Sequence, residues 1–285
     1  MASRNQSFHN PEYKARKRKV LIRRILFIFV LICIVIGGLA GLTHWSKLAI
    51  ARTYVYGTVI LNPDDIRAAA RDIMSGHNML IFAQNNAALY PHDAMDRDLL
   101  VQFPRIKDIS VGLSSWHTLE IDVSERQPVA LWCDNAPSDS TTTPVTTTVS
   151  NCYFLDQTGF VFAHAPDFSG DAYFKYYGLL PYASPIGADY LSSPDTFGQL
   201  ASFVDMVKAL NVTPLYIVAT DEHDFDMYIY GGGKITFDDK TPLADTAHNL
   251  QVLLQTHGLV PQQNGELLVD YIDLRFGNKV YYKVR

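Results

Sequence analysis

From Ile25 to Ser46 the chain passes twenty-two residues without an Asp, Glu, Lys or Arg. At about 1.5 Å rise per helical residue the run reaches roughly 33 Å, enough for a hydrocarbon core of about 30 Å. It predicts one transmembrane helix over residues 25–46, with Trp45 at the far interface. A signal-peptide core would span only about 7 to 15 residues, and the THWSKLA that follows is a poor small-residue cleavage site, so the anchor is expected to stay in place.

Beyond the run, period and punctuation change together. AIARTYVYGTVIL reads as a strand and ends at Asn62-Pro63, an N-cap followed by proline at the first helical position. Ile66, Ala69, Ala70, Ile73 and Met74 then repeat at helical spacing, and Gly76 supplies a stop. Met95, Leu99 and Phe103 share a face of a second helix closed by Pro104. IKDISVGL and TLEIDV alternate with period two around a hairpin at SSWH. The order strand, helix, helix, strand, strand predicts a small α+β domain over residues 50–124.

From residue 125 to 285 the pattern predicts a second, mostly antiparallel β domain with two helices. VALW, CYFLD and GFVFA are short apolar runs, the last two joined by a turn at Asp156-Gln157-Thr158-Gly159. One helix follows Ser193-Pro194, and another runs from Thr241-Pro242 to Gly258. PLYIVA, FDMYIY and KITF between them read as a meander that turns at Gly231-Gly232-Gly233. The last segment, IDLRFGNKVYYKVR, sets Ile272, Leu274, Phe276, Val280, Tyr282 and Val284 on even numbers. A tight two-residue turn at Gly277-Asn278 would split that stripe onto opposite faces, whereas a strand continuing through Gly277 or a three-residue loop would keep it together, and the continuous strand is expected.

Charge divides the chain. Residues 1–24 carry eight Lys or Arg against Glu12, a net +7, leaving −12 for the rest of a chain whose total is −5. The positive-inside rule makes residues 1–24 a cytoplasmic segment and everything from Lys47 onward extracytoplasmic. Topology accounts for these basic residues, and no nucleic-acid partner is expected. Cys33 falls in the apolar run. Cys133 and Cys152 bracket a Ser/Thr/Pro-rich loop over 134–151, which a disulfide would close if the flanking strands are neighbours; two free thiols are the alternative.

Patterns that carry chemistry are missing from the sequence. It has no GxSxG, HExxH, SxxK or Walker spacing, and Gly231-Gly232-Gly233-Lys234 reads as a turn. The acidic run Asp221-Glu222-His223-Asp224-Phe225-Asp226 lacks calcium-loop spacing and reads as a solvated connection. No catalytic residue, metal ligand or cofactor is expected.

Four segments in order carry a family resemblance: the basic N-terminus with its single anchor, then ERQPVALW at the end of the first module, then YFLDQTGFVF, then IDLRFGNKVYYK. Together they resemble FtsQ/DivIB, a family of single-pass bacterial cell-division proteins built from a polypeptide-transport-associated (POTRA) domain and a β domain. His117 stands where a proline commonly follows the hairpin tryptophan, here Trp116. The resemblance implies a non-enzymatic scaffold of the cytoplasmic membrane and division septum, which binds the FtsB/FtsL coiled-coil pair and other division proteins and helps control septal wall synthesis. It further implies that a partner strand adds to the last strand, with Arg275, Phe276, Lys279, Val280, Tyr281 and Tyr282 at the contact. There Arg275 would pair a carboxylate and Phe276 would fill an apolar pocket. Lys279, Lys283 and Arg285 would discourage self-pairing. A membrane-anchored wall hydrolase and a POTRA-type chaperone of outer-membrane export are the competing classes. The first lacks a recognisable nucleophile or metal site, and the second expects repeated modules where this chain shows one.

Overall fold

The computed structural model describes residues 11–43, 49–75, 77–78, 82–83, 87, 90–137, 150–167, 172–180, 184–277 and 279–285. The first ten residues, Trp45, the stop at Gly76, most of the Ser/Thr/Pro-rich loop and Asn278 lie outside the described residues. The protein is mixed α+β. A first helix, α1 (Pro11–Thr43), overlaps the apolar run. Its side chains from Ile25 to Val35 are all exposed. Among the described residues, no helix is long and apolar enough to cross a membrane.

The chain divides into two compact units, Met1–Leu99 with Ile109–Val123, and Leu100–Asp108 with Ser124–Arg285. In the first, β1 (Arg52–Tyr56) leads to α2 (Pro63–Ser75). The Asn62 side chain accepts a hydrogen bond from the Asp64 amide at 3.1 Å, the expected N-cap. A two-residue ribbon pairs β2 (His77–Asn78) with β3 (Phe82–Ala83), and α3 (His92–Gln102) follows. The hairpin β4 (Ile106–Ser115) and β5 (Thr118–Glu125) completes a sheet of order β1-β5-β4, with β1 parallel to β5. Ile66, Ala69, Ala70, Met74, Met95 and Leu99 from the helices are buried, as are Leu119, Ile121 and Val123 of β5.

The second unit is built on one nine-stranded sheet. Its strands are β6 (Ala130–Cys133), β7 (Cys152–Leu155), β8 (Val161–His164), β9 (Phe174–Tyr177), β10 (Pro214–Ala219), β11 (Asp224–Ile229), β12 (Lys234–Asp238), β13 (Val269–Phe276) and β14 (Lys279–Val284). They lie in the order β14-β13-β12-β11-β10-β9-β6-β7-β8. Two helical crossovers organise it, while the third parallel pair, β6 with β9, is joined through β7 and β8. The helix α4 (Pro194–Ala209) links β9 to the parallel β10, and α5 (Leu243–Thr256) links β12 to the parallel β13. Parallel neighbours need such long returns, and each return here lays an apolar helix on the same core. Phe197, Leu200, Phe203 and Val207 of α4 join Leu250 and Leu253 of α5, Phe225, Met227, Ile235 and Phe237 of the sheet, and Trp132.

YFLDQTGFVF turns as its spacing predicts. The Gly159 amide donates to the Asp156 carbonyl at 3.0 Å. Gly159 has φ +83, and a Cβ there would lie 2.8 Å from the Phe197 ring. Asp156 is 2% exposed. It accepts hydrogen bonds from the Thr158 amide and hydroxyl at 2.8 and 2.6 Å and from the Phe160 amide at 3.1 Å. It also pairs with Arg126, whose guanidinium lies 4.0 Å from the centre of the Phe160 ring. ERQPVALW and YFLDQTGFVF are therefore tied by an ion pair with little solvent around it.

Burial alone would raise the Asp156 carboxyl, but the hydrogen bonds from Thr158, Arg126 and Phe160 outweigh it and hold the pKa below the ordinary carboxylate value. A depressed folded-state pKa adds stability above the unfolded value of about 4 that is lost as pH falls through the folded one. Asp156→Asn should lower stability at pH 7 by about 3 kcal/mol, because Arg126 then stays unpaired. Denaturant melts from pH 7 down into strong acid should show the variant losing less stability than the wild type.

Candidate functional site

The chain reverses between Phe276 and Lys279 and pairs back on itself. Phe276 opposes Lys279, Asp273 opposes Tyr281, Ile272 opposes Tyr282 and Tyr271 opposes Lys283, all antiparallel. The expected continuous strand through Gly277 is thus overturned. The register shifts by one residue between Asp273 and Phe276. That extra residue on β13 is a bulge, and it removes the conflict that a tight turn would otherwise create. From there to the Tyr271–Lys283 pair even numbers face even numbers, and Ile272, Leu274, Val280 and Tyr282 all meet the core; a second one-residue shift then sets Val269 against Val284. The stripe is shorter than its sequence, for Phe276 and Val284 are 53% and 48% exposed. Gly277 takes φ +63 at the reversal.

The two ends of the sheet differ. Beside β8 the backbone is occupied, with the Val161 amide donating to the Ala188 carbonyl at 2.9 Å and the Gly187 amide to Val161 at 2.8 Å. Among the described residues no strand lies beyond β14. The Arg285 amide donates inward to the Leu268 carbonyl at 3.4 Å. Alternation then turns the amides and carbonyls of Lys279, Tyr281 and Lys283 toward β13, and those of Val280, Tyr282 and Val284 toward the open side.

The side chains expected at the contact are gathered on this hairpin, though not all are free. Arg275 donates from Nε and Nη2 to the Asp273 carboxylate at 3.0 and 2.7 Å, and from Nη1 to Asp224 at 3.3 Å. The hydrogen bonds that Arg275 gives to Asp273 raise its pKa further, so the side chain is a fixed cation. Burial pushes the Asp273 carboxyl up, and the Arg275 hydrogen bonds more than reverse this. Phe276 meets Tyr281 edge-on at 5.1 Å, leaving two exposed rings at the hairpin tip. Lys279 is exposed, Val280 half-buried. The Tyr282 hydroxyl lies 3.0 Å from Nδ1 of His257, the residue that caps the C-terminal end of α5. Lys283 and Arg285 both pair with Asp270, at 2.7 and 3.1 Å. Arg285 also donates to the Gly231 and Gly232 carbonyls. Their charges are therefore largely answered from within the hairpin, contrary to the expectation of a repelling edge.

The acidic run is not a solvated connection throughout. Asp224 and Asp226 belong to β11, where Asp224 takes Arg275 and Asp226 accepts from Lys234 at 2.8 Å and Thr236 at 2.6 Å. Sequence reasoning missed Asp273, Asp224 and Asp270 as clamps on the basic residues. The sequence signal for one of them was alternation: Asp273 and Arg275 share one face of their strand. Cys133 and Cys152 sit directly opposite on β6 and β7 and form a disulfide. Among the described residues no group of three or more His, Cys, Asp or Glu could hold a metal ion.

Among the described residues β14 thus ends its sheet with one side unpaired. The chain is 28% identical over 132 residues to the cell division protein FtsQ of Streptomyces coelicolor, across 45% of this chain and 46% of that protein. That likeness to a cell division protein agrees with the resemblance carried by the quoted segments. The aligned part spans less than half of the curated relative's length. No protein-family model matches the chain.

The hairpin geometry gives a test on stability. Nothing lies within 4 Å of a Cβ built on Gly277, so only its positive φ constrains the residue. Gly277→Ala should cost about 1 kcal/mol and Gly277→Asn clearly less, since Asn tolerates the left-handed region. Chemical denaturation of the two variants measures the difference.

Proposed function

We propose that the chain is a non-enzymatic scaffold of the division machinery that binds an FtsB/FtsL-like coiled-coil pair by strand addition to β14 and helps control septal wall synthesis. One transmembrane helix over residues 25–46 holds it in the cytoplasmic membrane at the septum. Residues 1–24 are cytoplasmic, with a POTRA domain over 50–124 and an FtsQ-type β domain over 125–285 outside. The unoccupied side of β14 carries this reading. An edge strand supplies affinity through its main chain and choice of partner through alternate side chains. Val280 and Tyr282 would present apolar positions on the helix side, and Lys279, Tyr281 and Lys283 would face the partner's other side. Arg275, already clamped by Asp273 and Asp224, would offer its remaining hydrogen-bonding capacity to a partner carboxylate, and the Phe276–Tyr281 pair would be an aromatic anchor.

The membrane reading is supported by the exposed apolar surface of α1 from Ile25 to Val35. A helix apolar all round is stable where its surroundings are apolar too. The +7 charge of residues 1–24 sets its direction.

Proline at an outward amide separates pairing from folding, because an edge strand tolerates proline where its N–H faces away from the sheet. Val280→Pro and Val284→Pro in the full chain should each weaken binding of the coiled-coil pair by at least about tenfold. Val284→Pro should leave the melting temperature unchanged. Affinity within twofold of wild type in a stable Val284→Pro protein, together with the same result for Val280→Pro, would sink strand addition here.

A further inference from the structure

A cavity of 440 Å³ opens in the first unit between β1 and α2, lined by Ile50, Arg52, Thr53, Tyr54, Arg67, Arg71, Met74 and Ala51. Three of these side chains are guanidiniums. Arg67 and Arg71 are four residues apart on α2, so like charges sit on one helical ridge. Arg67 is held in place, donating from Nε to the Thr53 carbonyl at 3.0 Å and pairing with Asp64. Among the described residues neither Arg52 nor Arg71 has a carboxylate at ion-pair distance. The cavity therefore carries two uncompensated cations beside one that is neutralised and fixed. Buried Met74 and half-buried Ile50 give it an apolar part.

We infer that this cavity binds a phosphate ester, and that its source is the headgroup of an anionic lipid. Guanidinium groups match phosphate oxygens bidentately, and a fixed arginine lowers the ordering cost of the first contact. The apolar wall would take the carbon skeleton next to the phosphate. Chain connectivity favours a lipid over a free ester. Five residues lie between Ser46 and Arg52, six steps of chain that reach at most about 22 Å even fully extended. Anionic headgroups lie at that surface, and their attraction fades only beyond a screening length of about 8 Å. Phosphate binding by the cavity stands alone, whereas the lipid source rests on the membrane span proposed above. Bound headgroups would steady the first unit against the membrane.

The test uses the full chain and the double variant Arg52→Gln/Arg71→Gln, with Arg71→Lys as the charge-conserving control. Native mass spectrometry of protein released from nanodiscs of mixed phosphatidylglycerol and phosphatidylcholine reads lipid retention. Titration with sn-glycerol 3-phosphate in detergent reads the free ester. Wild type and Arg71→Lys should retain phosphatidylglycerol over phosphatidylcholine about tenfold better than the double variant does, at equal melting temperature. The basic residues of 14–24 contribute equally to all three proteins, so the difference belongs to the cavity. Binding of glycerol phosphate that the double variant loses, without any lipid preference, would support the phosphate site and overturn the lipid source. Equal behaviour of wild type and double variant in both arms would overturn the site. Partner affinity of the same proteins, measured in parallel, reports separately on the β14 edge.

Discussion

A β-strand turns alternate side chains to opposite faces, and a hairpin can close tightly only where its register respects that alternation. The last hairpin of this protein meets the constraint with one extra residue between Asp273 and Phe276. Without it, Ile272 and Leu274 could not share the core with Val280 and Tyr282. With it, β14 is fastened by side chains on one face and by β13 along one edge, while its other edge points away from the sheet. The availability of that edge, the clamp of Arg275 and the exposed rings of Phe276 and Tyr281 all follow from where the bulge lies.

The remainder of the larger unit keeps that edge rigid. Crossovers through α4 and α5 place two apolar helices over one face of the sheet, so β13 is anchored by Ile272 and Leu274 against the same core as Phe203 and Phe237. Arg285 ties the end of β14 to the Gly231-Gly232 turn, and Asp270 ties Lys283 and Arg285 to β13. A strand held this way presents its main chain with little ordering left to be done on binding, which favours affinity at a modest contact area. At the opposite end of the sheet, the segment around Ala188 occupies the backbone of β8.

Much of this was legible in the sequence, because its strongest signals are local. Proline after a capping residue marked the starts of α2 and α4, period two marked β4 and β5, and Asp156 to Gly159 marked a turn. Strand neighbours are a different matter. The parallel pairing of β9 with β6 and β10 joins short segments far apart in the chain, and FKYY on its own is too brief to declare a strand. The bulge was hidden for a related reason: a register shift of one residue leaves composition and period unchanged and shows only in the pairing. Asp224 and Asp226 looked like a solvated run because their partners, Arg275 and Lys234, come from strands brought alongside by that topology.

The central claim is that the outward side of β14 is where the partner's main chain pairs. Amide hydrogen exchange, resolved by residue on the full chain with and without the FtsB/FtsL-like pair, tests it most directly. The account predicts that Val280, Tyr282 and Val284 exchange quickly alone and become strongly protected on binding, while Tyr281 and Lys283, already turned toward β13, change little. Saturating partner that leaves Val280, Tyr282 and Val284 unprotected would contradict it.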